Sequence, residues 1–380
     1  MSNKEPPFTV GIEEEYLLVD VQTGDVHVDP PPQLLKECTE RGGGQISPEY
    51  LRSQIEVSTR VCRSMDEVRN DLARLRGIVI EVASRFGLAP IAASTHPFSR
   101  ATAQKPTDRD HYAAMSQEMQ AAARRLMICG MHVHVGIDDD DLRIDLQNQL
   151  SYFLPHLLAL SCSSPFWEGE KTGLMSFRLT VYNSLPRTGL PERFDSYLEF
   201  RRHLDTLIRN GLIEDTTKIW WDLRPSSRYP TLETRIMDCC TSLDDSICIA
   251  ALIVSLTRML YRLRRANQSW RHYPNVLIAE NRWRAMRYSF DEKFLDLAKG
   301  EMVDFPTLLD ELIDLVREDA EVLACSREVA HARKILARGT SAHRQLAVYD
   351  DARQRGASDR EALQAVVAFL IQETAVGTLP

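Results

Sequence analysis

The segment Gly130-Met131-His132-Val133-His134-Val135-Gly136 constrains the fold more than any other stretch of this chain. Side chains along an extended strand alternate between faces. His132 and His134 therefore share one face. Met131, Val133 and Val135 share the other, and being apolar they pack inward. The pattern recurs twice. Glu13 and Glu15 form an i, i+2 pair within Gly11 to Val19, and Glu233 and Arg235 form another, with Leu232 and Ile236 behind them. If these three segments meet in one sheet, one face of it carries carboxylates, imidazoles and a guanidinium.

The neighbouring residues separate into chemical and structural candidates. Glu13, Glu14 and Glu15 lie inside an apolar β-run, although acids are depleted in strands and repel one another. Solvent on an edge strand would relieve them, and so would a bound cation. Glu14 faces the opposite way and reads as structural. Glu49 and Glu56 flank Leu51 and Ile55, and by themselves read as surface charge. His96 follows the apolar run Leu88 to Ala93 and reads as a hydrogen-bonding structural histidine. Asp138 to Asp141 suit a helix N-terminus, where acids complement the helix dipole, so they read as capping.

Hydrophobic patterning predicts strands over 8–19, 25–28, 88–93, 128–137 and 218–223, with a further strand around Glu233. Arg224 to Arg228 reads as a loop delivering two guanidinium groups. Ser64 to Glu67 forms a capping box ahead of a helix whose stripe is Val68, Leu72, Leu75, Val79, Val82 and Phe86. Further helices are expected over 107–127, from the Asp138 run to about Leu160, and over 191–210, 243–266, 276–289, 306–325, 327–338, 341–355 and 358–375. Residues 161–191 are loop-rich, and long loops in compact domains usually bind or cover ligands.

With 380 residues the chain can bury a sizeable core as one large domain or two. Its net charge of −8 gives no support for binding to nucleic acid or an anionic membrane. The apolar run Ile247 to Leu256 is too short for a membrane span. No apolar h-region opens the chain, so no signal peptide is expected. Eight cysteines without CxxC spacing fit a reducing cytosol, and a cytoplasmic location is expected.

Carboxylates with imidazole and no thiolate suit Mg²⁺ or Mn²⁺. Guanidinium groups beside such a site suit phosphate, which arginine grips bidentately. Together they fit phosphoryl transfer, which depends on positioning and charge neutralisation. Neither GxxxxGK[ST] nor GxGxxG occurs, so a P-loop or Rossmann nucleotide site is unsupported.

These residues resemble the carboxylate–amine ligases related to type 2 glutamate–cysteine ligase. The resemblance runs from about Phe8 to past Asp238. It is carried by Gly11-Ile12-Glu13-Glu14-Glu15, Thr95-His96-Pro97-Phe98, the His132 and His134 segment, Trp221-Asp222-Leu223-Arg224-Pro225-Ser226, and Glu233-Thr234-Arg235-Ile236-Met237-Asp238. It implies an α+β fold: a curved antiparallel sheet of glutamine synthetase-like type lined by helices, with a helical C-terminal third. Residues 1–240 would form the catalytic core and 241–380 a helical region packed on it, the two being integrated.

The resemblance also implies roles. Glu13, His132 and Glu233 would hold one Mg²⁺ (or Mn²⁺). Glu15, Glu49 and Glu56 would hold a second. His134, Arg224 and Arg235 would contact the phosphates of ATP, with His134 and Arg235 acting in catalysis. ATP would phosphorylate a small-molecule carboxylate, often the γ-carboxylate of glutamate, and an amine would attack the acyl phosphate. Cysteine is the family's named amine, often with weak activity, and a homodimer is implied. Nothing in the sequence identifies the amine here. Two other readings are a metal-dependent hydrolase using the His-x-His and carboxylate site, and a non-catalytic binding protein of the same fold. The hydrolase would prefer zinc and be indifferent to Arg224 and Arg235. Against the binding protein, every expected ligand position is filled.

Overall fold

In the computed structural model, which describes residues 5–379, the three segments do meet. β1 (Val10–Asp20), β2 (Ile46–Pro48), β3 (Gln54–Ser58), β4 (Leu88–Ile91), β5 (Met131–Gly136), β6 (Leu223–Pro225) and β7 (Thr231–Thr234) form one antiparallel sheet. Its order is β6–β7–β5–β1–β3–β2, with β4 pairing the far end of β1. The register sets the chemistry. Glu13 lies opposite His132, His134 opposite Glu233, Glu233 opposite Arg224, and Glu15 opposite Glu56.

The other face is packed. Ile12, Tyr16, Met131, Val133, Val135 and Leu232 are buried there. Glu14 shares that face and is fully buried. Arg76 donates to its two oxygens at 2.8 and 2.9 Å, Ser246 at 2.6 Å and Tyr16 at 2.5 Å. A buried carboxylate survives only with such partners, so the structural reading of Glu14 holds.

Nine helices come next in chain order: α1 (Pro32–Arg41), α2 (Met65–Ser84), α3 (Asp110–Met119), α4 (Asp140–Leu150), α5 (Leu154–Ser161), α6 (Arg178–Tyr182), α7 (Tyr197–Arg209), α8 (Leu243–Arg265) and α9 (Asn275–Tyr288). Further helices follow, ending with Ser341–Gln354 and Asp359–Ala375. α2 and α8 cover the sheet. α2 starts as its sequence requires, with the Ser64 hydroxyl accepting from the Glu67 amide at 3.2 Å. The Glu67 carboxylate turns instead to the Arg63 amide at 2.8 Å. α8 is long and apolar enough to span a membrane, but most of it is buried within the protein.

Several elements differ from expectation. Residues 25–28 supply only a bridge between Val26 and Val19. The 107–127 helix shortens to α3 and one 3₁₀ turn, because Gln120 takes φ 48° and turns the chain. The helix expected to Leu160 divides into α4, a 3₁₀ turn and α5. Pro155 has no N–H to continue the ladder. Asp139 caps α4, accepting from Leu142 N at 2.9 Å. The helix placed at 191–210 starts only at Tyr197, capped by Ser196. Arg224 stands on a strand rather than in a loop, and α1 had no counterpart among the expected elements. One apolar cluster extends from Phe8 to Leu370 through both the sheet region and the C-terminal helices.

Candidate active site

The polar face of the sheet and its edge bring together Glu13, Glu15, Glu56, His132, His134, Arg224, Glu233 and Arg235, with Glu49 just past the end of β2. Glu13 lies between the imidazoles of β5, with Oε2 at 3.2 Å from His132 Nδ1 and Oε1 at 3.5 Å from His134 Nε2. Glu233 lies between two guanidinium groups. Arg224 donates to it at 2.9 and 3.2 Å, and Arg235 pairs with its Oε1. Arg235 also donates to the Tyr182 hydroxyl at 3.1 Å and stands 3.5 Å from His132 Nδ1. Glu15 accepts from the Gly130 amide at 2.8 Å. Glu56 accepts from Ser47 at 3.3 Å, and Glu49 from Tyr112 of α3 at 3.5 Å.

The acids divide electrostatically. Burial opposes charge on Glu13, but hydrogen bonds from His132 and His134 outweigh it and hold the carboxyl well below the usual range. Burial opposes charge on Glu233 too, and Arg235 and Arg224 reverse it. For the other three acids, hydrogen bonds and the charges of Arg178 and Arg235 do not outweigh burial. Burial and the Glu49 carboxylate push Glu15 up to about 7. Burial raises Glu49, and burial with the charges of Glu13, Glu49 and Glu15 raises Glu56 far above an ordinary carboxyl. Three crowded carboxyls that resist losing their protons form an oxygen-donor set a hard divalent cation fits, since it would supply the missing positive charge.

The two histidines also separate. Burial, then the Arg235 charge, pushes His132 down to about 4, so its imidazole stays neutral. Burial works the same way on His134, but Glu13 and Glu233 outweigh it and raise its pKa. A metal ligand must be neutral, whereas a phosphate donor gains from its proton. Donor atoms of Glu13, His134 and Glu233 lie within 4.8 Å of one another. This close set contains His134 and not His132, the imidazole that the resemblance assigns to the metal. His134 Nδ1 is 2.9 Å from the Thr231 hydroxyl.

Two cavities meet at this cluster. One, of about 130 Å³, is lined by Glu15, Glu49, Tyr50, Arg178, Tyr182 and Trp220 and reaches His132 and Arg235. The other, of about 310 Å³ and largely apolar, is lined by Val10, Ile12, Thr59, Tyr229 and Pro230 and reaches Glu13 and His134. Each cavity thus touches one imidazole of the β5 pair. Sequence reasoning missed Arg178, Tyr182, Tyr112 and Thr231 as neighbours of the site. The only signal for the first two was the loop-rich character of 161–191; α6 carries both.

His96 is fully buried. Its Nε2 lies 2.9 Å from Gly24 O, and its Nδ1 accepts from the Phe98 and Ser99 amides. That is the structural role expected for it.

The family described as glutamate–cysteine ligase family 2 matches residues 9–368. A protein of Rhodospirillum rubrum provisionally named glutamate–cysteine ligase 2 is 56% identical over 375 residues, covering 98% of this chain and 96% of that protein. A Paracoccus denitrificans protein with the same provisional name is 50% identical, covering 97% and 98%. Among solved structures, the glutamate–cysteine ligase of Francisella tularensis in complex with AMP superposes with a TM-score of 0.71 at 13% identity, covering 98% of this chain and 90% of that one. A bifunctional glutathione synthetase from Pasteurella multocida gives 0.70 at 15% identity, covering 96% of this chain and 52% of its own. At such low identity these two structures establish a shared fold.

Proposed function

The chain belongs to glutamate–cysteine ligase family 2, and on that premise we propose that it is an ATP-dependent ligase joining the γ-carboxylate of glutamate to an amine through an acyl phosphate. One observation carries the reading: the sheet register places acids, imidazoles and guanidinium groups on one face, between two cavities. Nucleotide occupies the larger, largely apolar cavity beside His134. The carboxylate and the amine occupy the smaller one beside His132 and Arg235. The reacting groups then meet across the Glu13 and Glu233 cluster.

Glu13, His132 and Glu233 would hold one divalent cation, and Glu15, Glu49 and Glu56 a second. When bound, such cations neutralise phosphate oxygens and the charge that builds on the transferred group. A carboxylate oxygen attacks the γ-phosphorus of ATP and ADP leaves. The amine nitrogen then attacks the acyl carbon, phosphate leaves, and the nitrogen loses a proton. Protonated His134 donates to the phosphoryl oxygens from the nucleotide side. Arg235 and Arg224, both paired with Glu233, bring guanidinium forks suited to the phosphate oxygens to the same face. Burial keeps water from the acyl phosphate, the intermediate most prone to hydrolysis.

Hydroxylamine tests the reading. With L-glutamate, ATP and Mg²⁺ it should trap the acyl phosphate as a hydroxamate, with matching release of ADP. Absence of both products across a panel of carboxylic acids overturns the ligase assignment.

A further inference from the structure

Arg282 lies outside the candidate site, on α9, and is buried together with Asp222. Its Nε donates to Asp222 Oδ2 at 2.6 Å and its Nη2 to Asp222 Oδ1 at 3.2 Å. The same Nη2 donates to Asn183 Oδ1 at 3.1 Å. Nη1 turns back to Met286 Sδ of its own helix, at 3.5 Å. One guanidinium thus joins α9 to the residue before β6 and to the residue after α6.

Both residues it holds lead directly to Arg235. The Asp222 carbonyl accepts from the Arg235 amide at 2.8 Å, which fixes the backbone just past β7. Asn183 follows Tyr182, whose hydroxyl accepts from the Arg235 guanidinium at 3.1 Å. The main chain of Arg235 and the tip of its side chain are therefore held by two separate segments, and Arg282 ties those segments to each other. A planar guanidinium fixes the orientation of both acceptors at once. Misplacing a group at a reacting centre by about 1 Å can lower the rate by about 10²-fold, so a tie outside the site can still control the chemistry.

We propose that Arg282 is a positioning residue: from the helical third of the chain it sets where Arg235 presents its guanidinium. The inference rests on the ligase reading above for what Arg235 does there. The clamp itself is independent of that reading, so the test reads the two separately.

The full chain is labelled with ¹⁵N-arginine, and the Arg235 Nε–H resonance is assigned by its disappearance in Arg235→Lys. That signal reports geometry without turnover, and kcat for hydroxamate formation reports the consequence. Asn183 is exposed, so Asn183→Ala cuts one arm of the clamp with little effect on stability and leaves the Asp222 pair in place. It should shift the Arg235 resonance and lower kcat by about 10-fold, the range of one hydrogen bond to a charged group. Melting temperature and the KM for ATP should stay nearly unchanged. In a Tyr182→Phe background, where the link to Arg235 is already cut, adding Asn183→Ala should lower kcat no further. Arg282→Gln should lose more than Asn183→Ala, and Arg282→Lys should restore part of that loss. An Arg235 resonance that Asn183→Ala leaves in place overturns the inference, as does a shifted resonance with wild-type kcat. A full second loss on adding Asn183→Ala to Tyr182→Phe overturns it too. These comparisons stand even if Arg282→Gln does not fold. A resonance that shifts in a chain yielding neither hydroxamate nor ADP would remove the ligase reading while leaving the clamp standing.

Discussion

Glu13 and Glu14 are adjacent on β1, yet one meets two imidazoles and the other an arginine sealed in the core. Their isosteric amides should fail in different ways. Glu13→Gln, Glu15→Gln and Glu233→Gln remove charge from the polar face and should lower kcat by on the order of 10²-fold or more, with melting temperature nearly unchanged for Glu15→Gln and lowered for Glu233→Gln, which leaves Arg224 and Arg235 without their counter-charge. Glu14→Gln leaves the Arg76 guanidinium buried without its counter-charge. Breaking such a pair costs about 3–5 kcal/mol, so the variant should melt early while the folded fraction keeps near-normal turnover. Equal kinetic losses at 13, 14 and 15 would refute the alternation of faces.

The two histidines allow a finer division. His132→Gln should raise the metal concentration needed for half-maximal ATP turnover, because a neutral ligand is lost. His134→Gln should leave that concentration nearly unchanged and lower kcat, because a donor to the transferring phosphoryl group is lost. Identical metal curves for the two variants would end this division, and a metal defect confined to His134→Gln would reverse it.

At the scale of elements, what could be read from the sequence was the set of strands with strict alternation. β1, β5 and β7 carry an i, i+2 polar pair against an apolar face, and period 2 determines which side chains travel together. Their mutual register was not legible, since nothing local to β1 says that Glu13 will face His132. Helix ends were legible at Ser64, where the cap was read, and not at Ser196, whose cap was passed over, nor where a proline within the pattern separates one helix from the next, as at Pro155. Arg178 escaped because its significance lies in where α6 places it, at the cavity wall beside Gly130, and only tertiary structure reveals that.

β5 is also bounded by two glycines that leave room for other chains. A Cβ at Gly136 would collide with Thr9, and one at Gly130 with Arg178. Gly130→Ala should therefore displace the Arg178 guanidinium and crowd His132 at the same time. The expected result is a KM for the amino-acid substrate raised by about 10-fold or more, together with a weaker metal response. ATP affinity should change little, since the larger cavity lies on the His134 side. A Gly130→Ala enzyme with unchanged amino-acid KM would show that the strand start tolerates a side chain.

Across the whole molecule, the C-terminal helices complete charges that the first 240 residues leave open. Ser246 of α8 donates to Glu14. Arg282 of α9 pairs with buried Asp222 at 2.6 Å, immediately before the Arg224 strand. Thr374 accepts from the Ala92 amide at 3.0 Å just past β4, and Leu379 N donates to Ala73 O of α2 at 3.2 Å. A fragment ending at residue 240 would keep Asp222 without its arginine and expose the apolar sheet face that α8 covers. We therefore expect the chain to unfold as one cooperative unit and the 1–240 fragment not to fold by itself. The five tryptophans allow a direct check. With Trp270 and Trp283 changed to Phe, fluorescence reports only Trp167, Trp220 and Trp221, all in the first 240 residues. Far-UV circular dichroism reports largely the helices, many of which lie beyond residue 240. Urea transitions followed by the two signals should coincide, as they do when no intermediate is populated. A fluorescence transition at distinctly higher urea than the helical one, or a cooperative melt of the isolated fragment, would mean that the catalytic sheet stands without its helical third. The Asp222 and Arg282 pair would then be a local brace and not the tie between the two regions.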